Sequence, residues 1–402
     1  MKIRSNILVL VMTLMLLLST TYAVGKSNTK HNYLLSNYSS FTDIGWHLNQ
    51  INITGAWDIT VGSEDIVIAV IDSGIDWSHT QINNSWKNVD ELPGDGIDDD
   101  ANGYIDDTHG WDFTANDSEP GPEATDPIHW HATFITGIIC AALDNIGVAG
   151  TAPNVTVMDI RVLDASNYQD TSLEGLGEAI KYAVDNGADV INLSLQYYAP
   201  SNLYLDDIQY AITNNVPVVS VTGNTWAGGI EYASYPGAYD EVISVGATNY
   251  FYQKADYSNF GLPWTEIMAP VGDVEPWIPS QIINSTYPPP YSPYGNAVGT
   301  SFAAPQVAAV IALMRTINST MSVNDFRTIL QTTAFDLDAP GVDPLTGYGL
   351  LNATAAVLEV YNRTYPLIIE YSRLRMTLFL GLVIITMVIL PIITKRKKDR
   401  RF

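Results

Sequence analysis

Cysteine and positive charge are both scarce in this chain. Its 402 residues include one cysteine, Cys140, so an internal disulfide is excluded and this thiol fits a small core position. Lysine and arginine number 19 against 43 aspartates and glutamates, which gives a formal net charge of −24. A chain with so little positive charge is a poor partner for the phosphates of nucleic acid, so we expect no nucleic-acid function.

Charged residues of either sign are also few, at 15% of the sequence, whereas apolar residues make up 47%. At this length the composition predicts one large domain with a full hydrophobic core and appendages at its ends. Residues 1–23 have a basic start, an apolar centre at Ile7–Leu18 and a small-residue end at Thr21–Ala23, the pattern of a secretory signal peptide. The alternative is that this segment stays uncleaved as an anchor. Residues 24–43 follow as a short polar leader.

A second apolar run without charge lies near the other end, at Met376–Thr394. At a rise of 1.5 Å per residue it spans about 28 Å, roughly one bilayer core, and predicts a single transmembrane helix. The tail 395–402 carries six basic residues, and the positive-inside rule places it in the cytoplasm. A removed lipid-anchor signal is disfavoured because such signals end in an apolar segment. With a cleaved signal peptide, most of the chain then lies outside the cell.

Strand patterns alternate with helical patterns after Pro153. Strands are predicted at 155–162, 188–195 and 216–222, with helices at 172–186 and 203–214 between them. This alternation is typical of a parallel sheet built by right-handed crossovers. The predicted fold class is therefore α/β, with a central, mainly parallel sheet flanked by helices and a C-terminal transmembrane helix in addition.

One serine stands where a loop leads into an apolar helix. The loop Gly295–Gly299 begins and ends with glycine, and the run Gln306–Met314 has no polar face beyond its first residue. Ser301 is therefore expected beside the unpaired N–H groups of a buried helix N-terminus, which are ready-made donors for an oxyanion. The alternative is an ordinary serine N-cap on a core helix.

Two upstream stretches favour catalysis over capping. The apolar run Ile66–Ile71 predicts a buried strand, and Asp72 follows at its carboxyl end, where open α/β sheets place their sites. His131 opens another apolar helix. Aspartate, histidine and serine thus follow one another in the chain order of the subtilisin triad. On these residues the chain resembles the subtilisin-like serine proteases, or subtilases, over about residues 45–358.

Further motifs support the resemblance, in the order that the family shows. Asp72–Asp76 is similar to D-S-G-I-D and Gly299–Pro305 to G-T-S-x-A-x-P; other matches are Val218–Asn224, Tyr235–Gly237, Val245–Ala247, Tyr257–Gly261, Met268–Pro270 and Gly347–Asn352. The resemblance implies a subtilisin-like three-layer fold and a serine endopeptidase that cleaves proteins or peptides without a cofactor for its chemistry. It also implies the site residues: Asp72, His131 and Ser301 as the triad, Asn224 as the oxyanion donor, and Ser194, Leu195, Gln196 and Gly223 as substrate-binding residues.

Four positions depart from the family pattern. Around the expected catalytic histidine, Trp130 and Ala132 stand where glycines are usual, and Phe134 replaces a second histidine. Gln196 replaces the glycine of the substrate-pairing S-L-G. We expect the glutamine side chain to narrow one wall of the first specificity pocket, so these departures affect substrate shape more than the chemistry.

An acidic insert, residues 90–108, separates the expected catalytic aspartate from the histidine. Asp98, Asp100 and Asn102 alternate within it and Gly103 follows, as in the first half of an EF-hand loop. The closing glutamate is missing, so Asp106 or Asp107 would have to complete the ligand shell. We therefore predict a structural Ca²⁺ bound by Asp98, Asp100, Asn102, Tyr104 and Asp107. The alternative is a solvated acidic loop without a metal.

The combined prediction is a single-pass membrane protein with an extracellular peptidase domain at 44–360, joined to the membrane by residues 361–375. Two other classes of function remain open. One is an inactive subtilase-fold surface protein used for binding or adhesion. The other is a calcium-dependent structural surface protein, which would depend on the acidic insert alone.

Overall fold

The computed structural model describes residues 44–123, 128–164, 175–197, 202–226, 228–274, 283–288 and 292–366. The signal peptide, the leader up to residue 43 and the transmembrane segment expected at 376–394 lie outside the described residues and stay predictions. The chain divides into two units, Met1–Ile44 and Gly45–Phe402, and the architecture below is that of the second.

A seven-stranded parallel sheet is the centre of this unit, with the spatial order β2-β3-β1-β4-β5-β6-β7. Nearly all strand residues are buried, as expected for a parallel sheet that is covered on both faces. The α/β class with a mainly parallel sheet is therefore confirmed. The strands are β1 (Val67–Asp72), β2 (Gly110–Asp112), β3 (Thr156–Arg161), β4 (Val190–Leu193), β5 (Val218–Val221), β6 (Ile243–Thr248) and β7 (Ile267–Pro270).

Helices flank the sheet. The described helices are α1 (Trp46–Gln50), α2 (Ile53–Trp57), α3 (His131–Cys140), α4 (Leu176–Asp185), α5 (Leu205–Thr213), α6 (Ala304–Ile317), α7 (Val323–Thr333) and α8 (Ala353–Thr364). Ala69 and Ile71 of β1 pack with Ile180 of α4 in the core. The span Thr300–Ile317, which includes α6, is long and apolar enough to cross a membrane, but 83% of it is buried inside the domain. Its apolar character is that of a core helix.

Two regions differ in detail from the sequence prediction. The segment before the serine, in which the sequence analysis predicted no strand, contains an antiparallel hairpin of β8 (Asn284–Thr286) and β9 (Tyr294–Asn296). Its Ser285 and Thr286 hydroxyls donate to carbonyl oxygens of α3, at 2.8 and 2.6 Å, so the hairpin is docked on that helix. Strand β4 ends at Leu193 instead of residue 195, because the chain leaves the sheet there and enters the candidate site.

Candidate active site

Asp72 is the last residue of β1, at the carboxyl edge of the sheet. Its side chain is fully buried, and Oδ1 lies 2.8 Å from Nδ1 of His131 and accepts a bond of the same length from the Ser73 backbone N–H. The Asp72 carbonyl oxygen accepts the N–H groups of Val162 and Leu163, beyond the end of neighbouring β3. Both the backbone and the carboxylate are therefore held in place before any substrate binds.

Ser73 joins this strand end to the start of α3. Its hydroxyl donates to the Ile128 carbonyl oxygen at 3.0 Å and accepts the Ala132 N–H at 3.2 Å. The Ala132 N–H is one of the donors that a helix leaves unpaired in its first turn. This hydroxyl is thus one of the contacts that hold α3 against the end of β1, and with it His131 against Asp72. Sequence reasoning missed this role, although the serine within D-S-G-I-D was its visible signal.

His131 is the first residue of α3, and its side chain is 15% exposed. Because Nδ1 faces a carboxylate, Nδ1 carries the proton of the neutral ring and Nε2 is left as the acceptor. The imidazole centroid lies 5.4 Å from the ring centroid of Phe302, the residue after Ser301. The fold therefore brings His131 into contact with Asp72 and beside the residue that follows Ser301, from three separate elements.

Ser301 lies in the single 3₁₀ turn Thr300–Phe302 that precedes α6. Its hydroxyl donates to the Ser194 carbonyl oxygen at 3.2 Å, and the Ser194 hydroxyl donates back to the Ser301 carbonyl oxygen at 2.8 Å. The nucleophile candidate is thus bonded to the segment after β4. Catalytic hydrogen bonds are often formed only when substrate is present.

Two donors suited to an oxyanion lie beside this serine. Among the hydrogen bonds of the described residues, none uses the Ser301 backbone N–H. Asn224 follows β5, and its Oδ1 accepts from the N–H and the hydroxyl of Thr300 at 2.8 and 3.0 Å. Since Oδ1 faces Thr300, the amide orientation is determined and Nδ2 is the donating end.

The expected substrate-binding residues lie on the two chain segments that flank this pair of donors. Ser194, Leu195 and Gln196 follow directly after β4, and Gly223 follows β5 with φ at +101°. A Cβ on Gly223 would lie 2.4 Å from the Ser234 hydroxyl and 3.0 Å from Oε1 of Gln196, so only glycine fits there. The structure thus places Gln196 and Gly223 beside the expected oxyanion donor and Ser194 beside Ser301, with Leu195 between Ser194 and Gln196 in the chain.

The aromatic departures near His131 pack against one another. Trp130 stacks on Tyr287, with centroids 5.3 Å apart and planes at 14°, and Phe134 lies 4.6 Å from Phe302. These rings form an apolar wall on one side of the imidazole. The stack with Tyr287 depends on the docked hairpin and could not be read from the sequence.

The acidic insert brings together a different set of carboxylates from the one expected. Among the described residues, oxygen atoms of Glu91, Asp100 and Asp107 lie within 4.8 Å of one another. The expected ligand Asp98 instead accepts the N–H groups of Asn102 and Gly103, at 3.0 and 2.9 Å. Compared with the ligand set expected from the sequence, this cluster adds Glu91 and keeps Asp100 and Asp107.

The other expected ligands take part in the same loop by different bonds. Asn102 donates to both Asp100 and Asp107 through its Nδ2, at 3.1 Å each, and its Oδ1 accepts the N–H of Tyr104. The Tyr104 ring packs 4.8 Å from that of Tyr182, whose hydroxyl donates to Asp107. Tyr104 thus contributes packing below the loop through its side chain.

A second buried carboxylate lies close to Asp72. Asp159 on β3 is fully buried; its Oδ2 accepts the Ile75 N–H and the Trp77 indole N–H at 3.0 and 3.1 Å, and Oδ1 has no hydrogen-bond partner among the described residues. Desolvation raises the pKa of Asp159 well above its ordinary value, and the charges of Asp112 and Asp72 raise it further. Nothing in the sequence pattern distinguished this residue from an ordinary strand position.

Comparison with known proteins agrees with this geometry. A model described as the subtilase family matches residues 63–349. Thermophilic serine proteinase of Bacillus sp. (strain AK1) is 31% identical over 303 residues, which cover 75% of this chain and 64% of that protein. Subtilisin Savinase of Lederbergia lenta is 35% identical over 237 residues, covering 59% and 81%. Halolysin of Haloferax mediterranei is 31% identical over 309 residues, covering 77% and 52%. The chain thus spans less than two thirds of the first and third of these relatives.

Proposed function

This chain belongs to the subtilase family, and on that premise we propose that it is a serine endopeptidase that hydrolyses peptide bonds through an acyl-enzyme. The observation that carries the proposal is the 2.8 Å contact between Asp72 and His131 beside the helix mouth that holds Ser301. The bond is made at Nδ1, which leaves Nε2 as the base for a serine hydroxyl.

In the proposed mechanism Ser301 Oγ attacks the scissile carbonyl carbon while its proton passes to Nε2 of His131. Asp72 keeps the ring oriented and stabilises the imidazolium. The carbon–nitrogen bond then breaks, and His131 returns the proton to the leaving amine. A water molecule then attacks the ester carbonyl of the acyl-enzyme, with His131 again as the base. The bond to Ser301 Oγ breaks, and the carboxylic acid product is released.

The negative charge that develops on the carbonyl oxygen needs donors that are already in position. Nδ2 of Asn224 and the Ser301 N–H are those donors, since the former is oriented by Thr300 and the latter bonds to no described acceptor. Ser194–Gln196 would pair with the substrate backbone as an added strand. The Gln196 side chain occupies space at Gly223, which supports a preference for small side chains before the cleaved bond.

The chemistry itself needs no cofactor, and a structural Ca²⁺ in the insert is part of the proposal. Glu91 and Asp107 are buried, and carboxylates in this number and spacing suit a hard cation with oxygen ligands. Glu91, Asp100 and Asp107 would bind it. A bound Ca²⁺ would supply the positive charge that these three carboxylates otherwise lack.

We further propose a location at the cell membrane, with the peptidase domain outside and one C-terminal helix as anchor. The support is the uncharged segment 376–394 and its basic flank. A tag at residue 402 should survive protease treatment of intact cells, and a chain truncated before Arg373 should be soluble and active. Digestion of the tag from outside would contradict the orientation.

A fluorophosphonate probe tests the enzymatic function directly. The purified chain should be labelled and should cleave a peptide library, whereas its Ser301→Ala variant should do neither. A folded wild type that is not labelled would favour the rival function, an inactive subtilase fold that acts as a surface binding protein.

A further inference from the structure

Gln196 makes a contact that the glycine of S-L-G could not make. Its side-chain Oε1 accepts the backbone N–H of Asn224 at 2.7 Å, across 28 residues of sequence. We propose that Gln196 is a positioning residue that holds the oxyanion donor Asn224 in its working place. The inference rests on the proposed function and adds a residue to it.

The backbone on either side of Asn224 is held by main-chain bonds. The Gly223 carbonyl oxygen accepts the Asn259 N–H, and the Thr225 N–H donates to the Tyr257 carbonyl oxygen, at 2.9 Å each. The N–H of Asn224 itself donates to a side chain from the neighbouring segment. The position of this residue therefore depends on Gln196 as well as on the strand that leads to it.

The side chain of Asn224 is fixed at its other end. Thr300 donates to Oδ1 through both its N–H and its hydroxyl, at 2.8 and 3.0 Å. With Gln196 on the backbone and Thr300 on the carboxamide, Asn224 is held at two points. Nδ2 is then directed by contacts to both neighbouring segments, that of the substrate-pairing residues and that of the nucleophile.

Gly223 explains how the glutamine reaches this position. A Cβ at residue 223 would lie only 3.0 Å from Oε1 of Gln196, so the glutamine side chain crosses directly over the glycine. The left-handed φ of +101° at Gly223 turns the Asn224 N–H toward that oxygen. Glycine at 223 and glutamine at 196 thus act together.

The consequence for catalysis is specific. A preorganised oxyanion donor acts mainly in the transition state, so loosening it lowers kcat and leaves KM nearly unchanged. Removing Asn224 altogether costs ~10²–10³ in kcat by this reasoning. Removing only its support should cost less, and we expect about a tenfold decrease in kcat.

The test is a double-mutant cycle with Gln196→Met and Asn224→Ala, measured on one peptide substrate. Methionine keeps the length of the glutamine side chain but has no strong acceptor. Gln196→Met should lower kcat about tenfold with KM within about twofold of wild type. In the Asn224→Ala background the same change should alter kcat by less than about twofold, since the residue it supports is gone.

A matched control separates positioning from stability. Gln81 is buried and, like Gln196, bonded through its side chain, by Nε2 to Asp144 at 3.1 Å, but it lies outside the site. Gln81→Met should lower the melting temperature without changing kcat. Should Gln196→Met fail to fold, Gln196→Gly restores the family residue and is measured in the same cycle.

Three outcomes would overturn the inference: kcat of Gln196→Met within twofold of wild type, a change in KM alone, or an equal loss of kcat in both backgrounds. Measurements on the wild type distinguish a failure of the inference about Gln196 from a failure of the proposed function. A wild type that cleaves peptide and reacts with the fluorophosphonate, beside an unaffected Gln196→Met, rejects only the role of Gln196. A wild type that does neither rejects the proposed function.

Discussion

The proposed triad and the acidic insert both bring carboxylates close to other polar groups, but they hold them in different ways. Asp72 is buried at the end of a paired strand, and its neighbour across the site is a histidine. In the insert three carboxylates approach within 4.8 Å, and within the described residues none of them forms an ion pair with lysine or arginine. In the first site the carboxylate thus has a histidine N–H as its partner, whereas the three carboxylates of the second have no cationic side chain among the described residues.

The two regions also differ in what surrounds them. Each group of the proposed triad is fixed by hydrogen bonds that involve the main chain. They lie at the strand ends, in the first turn of α3 and at the Ser73 hydroxyl. In the insert the carboxylates themselves hold the turns: Glu91 accepts N–H groups of Asp99, Asp100 and Asp106. Changes at the triad should therefore affect rate, whereas changes in the insert should affect stability.

The largest effect should come from Ser301→Ala. Without the nucleophile, peptide hydrolysis should fall to a residual ~10³–10⁴ over the uncatalysed rate, contributed by binding and the oxyanion donors. The melting temperature should change little, because the half-buried hydroxyl makes one side-chain bond. Initial rates and thermal melts on the same preparations measure both quantities. Hydrolysis within tenfold of wild type in the variant would contradict the assignment.

Asn224→Ala should have the next largest effect, a decrease in kcat of ~10²–10³ with a small change in KM. The hydrogen bond from Nδ2 strengthens as charge develops on the carbonyl oxygen, so its loss is felt in the transition state. Steady-state kinetics on a peptide substrate give both constants. A pure KM effect would show instead that Asn224 binds the ground state.

Calcium should act on stability alone. If the insert binds Ca²⁺, a concentration 100-fold above Kd raises the free energy of unfolding by ~2.7 kcal/mol. Glu91→Gln should remove most of the shift in melting temperature between calcium and chelator. Asp98→Asn is the matched control, since Asp98 also accepts backbone N–H groups of the insert but lies outside the cluster of Glu91, Asp100 and Asp107.

The calcium melts are best performed in the Ser301→Ala background, which prevents self-digestion. Loss of the calcium shift in Asp98→Asn but not in Glu91→Gln would restore the ligand set expected from the sequence. Identical melting curves with calcium and with chelator would show that the insert binds no calcium and is a solvated acidic loop.

The smallest effect concerns the buried Asp159 and has a defined pH dependence. Its folded pKa is raised above the ordinary 3.8, so the folded state binds a proton more tightly than the unfolded state. The stability of the wild type therefore falls as pH rises from that value through the raised pKa. Asp159→Asn has no charge to bury and can still accept from Ile75 and Trp77.

The melting temperature of Asp159→Asn should thus exceed that of wild type by about 2–5 °C at pH 8, and the difference should shrink toward pH 4.5. Asp112→Asn is a control of opposite sign, because Asp112 forms a buried ion pair with Arg161 at 3.0 Å. Breaking that pair should lower the melting temperature. If the difference in melting temperature between Asp159→Asn and wild type does not vary with pH, the buried charge of Asp159 is not its cause.

Local patterns in the sequence were enough to predict the main elements. Apolar runs of strand length and small-residue helices predicted the parallel sheet, whereas the roles of Asp72, His131 and Ser301 came from the family resemblance and stay a proposal. The prediction of the sheet is confirmed, because burial on both faces of a parallel sheet leaves a continuous apolar signature.

Tertiary structure alone decided which of these groups touch and through what. The bond from Asn224 to Gln196, the stack of Trp130 on Tyr287 and the entry of Glu91 into the acidic cluster join positions that no local pattern relates. Their physical reason is packing: once β4, β5 and the hairpin are docked, each polar or aromatic side chain bonds to whatever group the neighbouring element presents. A sequence pattern records the residue types at these positions, but the partner of each is set by the distance between elements in the folded chain.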